Sequence, residues 1–332
     1  MDIHINKNNI GYYSTYLTVE KAIQQYLQQN GYLKIDLPVL SPTLVPESYL
    51  EVFETEFKYL NNREKLYFTP SPELFLKRLL VSGIGNCYYL GKAFRNSDPN
   101  ATLHSFEFTM LEFYKLKADY MDIAEEVLNM LRHIAAIIKK SKITYQNQTI
   151  SLDKWEKISV AQAFDKYADI SEAELFDKEL FLKKAKIKGF RTSGYTYEDI
   201  FSQIYTQEIE VNLGMNGYPT LIYDYPKEFA ALAKLNPDGK TSQRFEFYMA
   251  GVEIGDCYSE LTDWQEQEKR FSEEAGKRTK SGKIEHPIDK GFIKALQYGL
   301  DDCAGIAIGF ERLSMIFANV TSIDRLKLIT IR

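Results

Sequence analysis

The sequence is poor in cysteine, in long apolar runs and in excess positive charge, and each shortage closes off a class of protein. Cys87, Cys257 and Cys303 are the only cysteines in 332 residues. They lie far apart with no C-x-x-C pair, so neither a disulfide framework nor a zinc site is expected, and a reducing cytoplasm suits them. No apolar run approaches the roughly 20 residues of a membrane span. Met1 to Gly11 lacks the basic-then-apolar pattern of a signal peptide. A net charge of −5 supplies no general field for phosphate backbones, so DNA is not expected and tRNA is disfavoured as the main partner. Neither a P-loop nor a dinucleotide fingerprint occurs. What the chain does have is an ordinary soluble balance, 26% charged and 45% hydrophobic. It is also rich in Tyr (23) and Phe (20), many in alternating segments that read as strands.

Periodicity predicts a helix from Ser14 to Asn30, with Val19, Ile23, Tyr26 and Leu27 on one side and Gly31 as its stop. Tyr32 to Leu40 reads as a strand. A second helix is expected at Ser71-Pro72-Glu73, with Ser71 as cap and Pro72 at the first position. Two strands follow, Cys87 to Asn96 and His104 to Lys115, joined by a loop holding Asp98, Pro99 and Asn100. Asp119 to Lys140 is an amphipathic helix. Residues 141–240 lean towards helix and carry no motif. Strands return from Arg244 to Leu261, then helices at Gln265 to Lys280 and near Asp289 to Tyr298. A small-residue strand, Ala304 to Phe310, enters a final helix. With no repeat or linker, the economical reading is one domain, 1–332, with an insertion at about 141–240.

Three segments could carry chemistry. As a strand, His104 to Tyr114 places His104, Phe106, Phe108, Met110, Glu112 and Tyr114 on one face. That face suits a ligand with a flat ring at one end and a cation at the other; a solvent-facing amphipathic strand is the plainer reading. Arg95 would stand near the start of that hairpin, where a guanidinium can clamp a phosphate or simply pair with Asp98. In Arg244 to Gly255, a turn near Met249-Ala250 would oppose Glu246 and Glu253. Such a pair must protonate or hold a cation, Mg²⁺ for oxygen-only ligands beside a phosphate, unless the two point to water on different faces. Glu260 lies an odd number of residues beyond Glu253, so both line one pocket only if the strand breaks, with a bulge at Gly255 the expected place. Ala304 to Arg312 offers a small-residue floor beside an arginine, or a strand that merely packs closely.

In this order the segments resemble the catalytic domain of class II lysyl-tRNA synthetases along almost the whole chain. Tyr32 to Leu40 is similar to motif 1, Phe94-Arg95-Asn96 with His104 to Tyr114 to motif 2, and Gly305 to Arg312 to motif 3. Ser71-Pro72-Glu73 with Leu76-Lys77-Arg78-Leu79, and Tyr258-Ser259-Glu260-Leu261, are similar to segments of the lysine-specific branch. The resemblance implies an α+β fold, a mixed, mostly antiparallel sheet flanked by helices, and a homodimer through motif 1. It implies ATP and Mg²⁺ as cofactors and Arg95 and Arg312 as the catalytic cations. Arg95 would meet the α-phosphate, Arg312 the terminal phosphates, and Phe108 would stack on adenine. Asn96, Ser97, His104, Ser105, Glu253, Ile254 and Gly309 complete the implied ATP site, with Glu246 and Glu253 carrying the metal. Glu73 would sit at the substrate amino group, and Glu260 and Tyr114 at its side-chain ammonium. Ser71, Pro72, Glu112, Asp256 and Ala307 would complete that pocket.

The chain leaves no room for the N-terminal anticodon-binding domain of the tRNA enzymes. In length it resembles the short branch of the family that places β-lysine on elongation factor P. Ala307, where the tRNA enzymes have glycine, and the runs His286 to Asp289 and Asp302 to Gly305 resemble that branch too. Four features depart from the pattern: Ser97 replaces a glutamate, the loop after it is one residue longer, Ser105-Phe106 replaces Asn-Pro, and Asp256 replaces an asparagine. A carboxylate at 256 disfavours a nearby substrate carboxylate unless it is compensated. The implied activity is an ATP-dependent, AMP-forming ligase that adenylates lysine or β-lysine and passes it to an amine, with a lysine of elongation factor P as acceptor. The alternatives are another small amino-acid amide ligase, a truncated lysyl-tRNA synthetase, and a non-catalytic paralogue that acts as a binding protein.

Overall fold

The computed structural model describes residues 1–96 and 101–331. Strand β1 (Ile3–Ile5) and helix α1 (Ile10–Gln29) come first, then short strands β2 (Leu33–Lys34) and β3 (Leu40–Ser41), hairpin β4 (Glu54–Tyr59) and β5 (Asn62–Phe68), and helix α2 (Glu73–Val81). Strands β6 (Cys87–Phe94) and β7 (Glu107–Leu116) precede helix α3 (Tyr120–Ile137). Hairpin β8 (Ile143–Tyr145) and β9 (Gln148–Ile150) and strand β10 (Glu156–Ser159) lead to helices α4 (Val160–Ala168), α5 (Glu172–Leu175), α6 (Lys178–Ile187) and α7 (Tyr197–Ile204). Strands β11 (Thr220–Pro226), β12 (Thr241–Met249) and β13 (Val252–Ser259) are followed by α8 (Trp264–Lys280), α9 (Lys290–Gln297), β14 (Cys303–Gly309), α10 (Phe310–Ala318) and β15 (Ile329–Ile331).

Eight strands form the main sheet in the order β10-β11-β12-β13-β14-β7-β6-β2. It is antiparallel except at its two edges, where β10 runs parallel to β11 and β2 to β6. Helices α1, α3 and α10 cover one face. The stripe Ile123, Val127, Leu131 and Ile134 of α3 is fully buried there beside Val19 and Ile23 of α1 and Leu313 and Phe317 of α10. Asp119 caps α3 reciprocally with Asp122, a motif contributing about 1 kcal/mol. The opposite face of the central strands is left to the site. Among the described residues no helix is long and apolar enough to cross a membrane.

Several expectations shift. The strand predicted over Tyr32 to Leu40 is mostly loop, because Pro38 lies between β2 and β3 and cannot donate to a ladder. Helix α2 starts at Glu73 with Pro72 at the cap position and no side-chain cap; the Ser71 hydroxyl accepts from the Glu73 N–H (3.1 Å) from outside the helix. His104, Ser105 and Phe106 precede β7 rather than belonging to it. Within residues 141–240, β10 and β11 join the main sheet. Residues 160–213 form a separate aromatic core of Phe164, Phe181, Tyr197 and Phe201.

Candidate active site

Cross-strand register builds the site. Cys87, Tyr114, Gly305, Tyr258 and Arg244 make one row across β6, β7, β14, β13 and β12, and Tyr89, Glu112, Ala307, Asp256 and Glu246 make the next. Gly91, Met110 and Gly309 begin a third. Small residues at alternate positions of β14 therefore floor a trough, with Glu112 and Tyr114 on one side and Asp256 and Tyr258 on the other. The period-2 division of motif 2 holds from Phe108 onward, since Leu111 and Phe113 point into the core.

One end of the trough gathers carboxylates. Glu73, Glu112 and Glu260 are all buried, and so is Lys77, which ion-pairs with both Glu73 and Glu260. The Glu112 carboxylate accepts from Tyr114 (2.6 Å) and from Ser71 (2.8 Å). Burial, reinforced by Glu73, pushes Glu112 up to about 8, and burial raises Glu260 to about 7 against the pull of Lys77. A loop carrying Glu47 closes this end: Glu47 lines a small cavity with Ser71 and Glu73, and burial pushes it up to about 7. Arg278 anchors the loop by donating to the carbonyls of Glu47 and Leu50, both at 2.6 Å.

The other end gathers arginines and a face for a ring. The Arg95 guanidinium carbon lies 5.3 Å from the centre of the Phe108 ring, and its buried Nε has no partner among the described residues. An orphaned buried donor beside a half-buried aromatic ring fits an arriving phosphate and base. Asn96 lies two residues beyond β6, its side chain donating to the Val52 carbonyl (3.2 Å). Ser97 lies outside the described residues. Gly309 caps α10, from whose first turn Arg312 reaches β13, donating to the Glu253 carbonyl (2.9 Å) and standing 3.4 Å from its carboxylate. The side chain of Ile254 faces the core, so its only reach towards a nucleotide is through the main chain.

The expected opposition of Glu246 and Glu253 is corrected. The turn is centred on Ala250-Gly251, both at positive φ as a two-residue hairpin turn requires, so Glu246 faces Asp256 and Glu253 faces Tyr248. A register shift between these pairs leaves Ile254 as the extra residue beside Gly255, where the break was expected. That bulge brings Glu253, Asp256, Tyr258 and Glu260 to one face.

Asp256, the departure from the family pattern, is compensated. Arg244 grips it through Nε to Oδ1 (3.0 Å) and Nη2 to Oδ2 (2.9 Å), and the Tyr258 hydroxyl adds 2.7 Å. Arg244 also donates to Glu246 (2.8 Å) and to the Phe229 carbonyl (2.8 Å), lying over the Tyr225 ring. Sequence reasoning missed Arg244, Lys77, Glu47 and Glu210. Lys77 was readable as the charge four residues after Glu73 on an otherwise apolar face. Glu210, beside a π-helical turn at Tyr205–Ile209, left no signal. Burial, then Glu253 and Glu246, push Glu210 up to about 7, and burial raises Glu246 to about 7 against Arg244.

Among the described residues no three His, Cys, Asp or Glu side chains gather as a ready-made metal cluster. Mg²⁺ is commonly held by one or two carboxylates together with nucleotide phosphates, and the oxygen donors of Glu246 and Glu253 fit that mode.

The fold and the trough, carboxylates at one end and arginines at the other, define a class. Residues 6–329 match the family described as tRNA synthetases class II (D, K and N), and the chain belongs to that family as an ATP-dependent ligase. The elongation factor P–(R)-β-lysine ligase of Vibrio parahaemolyticus is 33% identical over 315 residues, covering 93% of this chain and 92% of that one. The same enzyme of Vibrio vulnificus is 34% identical over 311 residues, 92% and 90% of the two chains. A lysine–tRNA ligase of Staphylococcus saprophyticus is 33% identical over 316 residues, 93% of this chain and 62% of that protein.

Proposed function

We propose that this chain adenylates lysine or β-lysine and passes it to a lysine of elongation factor P. The observation that carries the reading is the buried trio Glu73, Glu112 and Glu260 at one end of a trough whose other end holds Arg95 and Arg312. A substrate with two amines suits the first end, and the phosphates of ATP suit the second. The relatives similar over nine-tenths of both chains are named as ligases of elongation factor P and (R)-β-lysine.

In the first step a substrate carboxylate oxygen attacks the α-phosphorus, the bond to the β-phosphate breaks, and pyrophosphate leaves. In the second the acceptor amine attacks the acyl carbon, the carbon–oxygen bond to phosphate breaks, AMP leaves, and the amine proton passes to solvent. The protein supplies positioning and charge and no nucleophile. Arg95 neutralises the α-phosphate and Arg312 the departing pyrophosphate; Phe108 fixes the base. Mg²⁺ held by Glu246 and Glu253 would add charge neutralisation on the phosphates. Three buried free cysteines favour a reducing cytoplasm. The exposed Ile3, Ile5 and Ile329 of the β1–β15 pair support a homodimer.

ATP–pyrophosphate exchange with α-lysine, (R)-β-lysine and other diamino acids, followed by transfer to purified elongation factor P and to tRNA, tests the reading. Exchange with a lysine-type amino acid and transfer to the protein are expected. Absence of exchange with every diamino acid overturns the substrate, and transfer to tRNA alone overturns the acceptor.

A further inference from the structure

We infer that Lys77, the protein's own lysine inside a pocket for lysine-like substrates, is a positioning residue that sets the pocket's charge and aims Glu73 and Glu260; the inference rests on the amino-acid site proposed above. Lys77 extends from α2, four residues after Glu73, and its side chain is 1% exposed. A buried ammonium without partners is strongly disfavoured. Here burial works against the charge, but Glu260 and Glu73 outweigh it and hold Lys77 protonated. The ammonium bridges Glu73 Oε1 and Glu260 Oε2. It therefore spends one oxygen of each carboxylate and ties the middle of α2 to the strand end beyond β13.

Two consequences follow. The second oxygen of Glu260, Oε1, is left over the β14 floor, 2.8 Å from where a Cβ on Gly305 would stand and beside the Tyr114 ring, so it faces the trough. The charge balance also comes out in favour of a diamine. When ionised, Glu73, Glu112 and Glu260 against Lys77 leave two negative charges among buried groups, and Glu47 on the closing loop adds a third once it ionises, a balance that two substrate ammonium groups suit better than one. Without Lys77 three carboxylates would face one another, and a proton would have to take its place. The titratable groups around it are Glu73 on α2, Glu112 and Tyr114 on β7, Glu260 after β13 and Cys303 on β14, with Glu47 on the closing loop beside Glu73. Lys77 thus acts through Glu73 and Glu260 and not on the reacting atoms.

The test uses the full-length protein with Lys77→Met, which keeps the length of the side chain and removes its charge, and Lys77→Arg, which keeps the charge but cannot place it as one point between two oxygens. Amino-acid KM, ATP KM and kcat are measured by pyrophosphate exchange from pH 6 to 9. Lys77→Met should raise amino-acid KM at least roughly tenfold, move its pH dependence upward and leave ATP KM within about threefold, a split that a merely structural role does not produce. Lys77→Arg should raise amino-acid KM by a smaller factor, about three or more, with the wild-type pH dependence kept. If Lys77→Met fails to fold, the kinetics of Lys77→Arg decide. Unchanged amino-acid KM and pH dependence in the folded variants overturn the role of Lys77 while wild-type exchange with a diamino acid stands. A wild-type protein silent with every diamino acid overturns the functional reading itself.

Discussion

Replacing Gly305 with alanine tests the trough most directly, because its backbone is not at positive φ and the effect is purely one of space. A Cβ there would stand 2.3 and 2.4 Å from two Tyr114 ring carbons and 2.8 Å from Glu260 Oε1. Carbon atoms rest at about 3.5–4.0 Å, so the ring must retreat by more than about 1 Å. Tyr114 is packed on its other sides and donates to Glu112 at 2.6 Å, and a shift of that size breaks this bond. A hydrogen bond to a charged group contributes about 1.5–3 kcal/mol, so amino-acid KM should rise roughly ten- to hundredfold. Overpacking should also cost about 1–3 kcal/mol of stability, visible as a Tm lower by several degrees. Arg95, Phe108 and Arg312 lie farther along the trough, so ATP KM should stay within about threefold. Pyrophosphate exchange, with each substrate varied in turn, reads both constants. A folded variant whose amino-acid KM is unchanged, or whose ATP KM rises in step with it, refutes the placement of the amino-acid pocket over Gly305.

The pH dependence of substrate binding follows from the buried acids. Glu112 at about 8 and Glu260 at about 7 must ionise to hold ammonium groups, so amino-acid KM should fall as pH rises from 6 to 8; a rise over that range contradicts the assignment. Both folded values lie above the ordinary 4.5, so the stability these groups lend is full below 4.5 and is lost as pH climbs through 7 and 8. The ligand-free Tm should decline over that window, and saturating diamino acid should offset the decline. In the aromatic core of residues 160–213, Phe181→Ala should cost about 3–5 kcal/mol and lower the urea midpoint in one cooperative step. A separate early transition that leaves the main sheet folded would speak against a single domain.

Much of the site was legible because its residues lie close together along the chain. Phe108, Glu112 and Tyr114 share a strand face by period 2, and the small residues of Gly305 to Gly309 announce a floor whatever lies above it. The need for a break near Gly255 also followed from parity alone, since Glu253 and Glu260 cannot share a face of a regular strand. Register was not legible: one residue in the placement of the hairpin turn decides whether Glu246 meets Glu253 or Asp256, and local pattern does not distinguish the two. Nor was compensation. Asp256 looked like an obstacle in the chain, and only pairing across β12 and β13 shows Arg244 holding it. Lys77 joins Glu73, its helical neighbour, to Glu260, far away in sequence, and a contact between distant segments leaves no trace in either. The kinds of groups and their local faces can be read along the chain, because those depend on backbone period. Which groups meet, and with what charge, was decided by the tertiary structure, because burial and pairing are set by strands far apart in the chain.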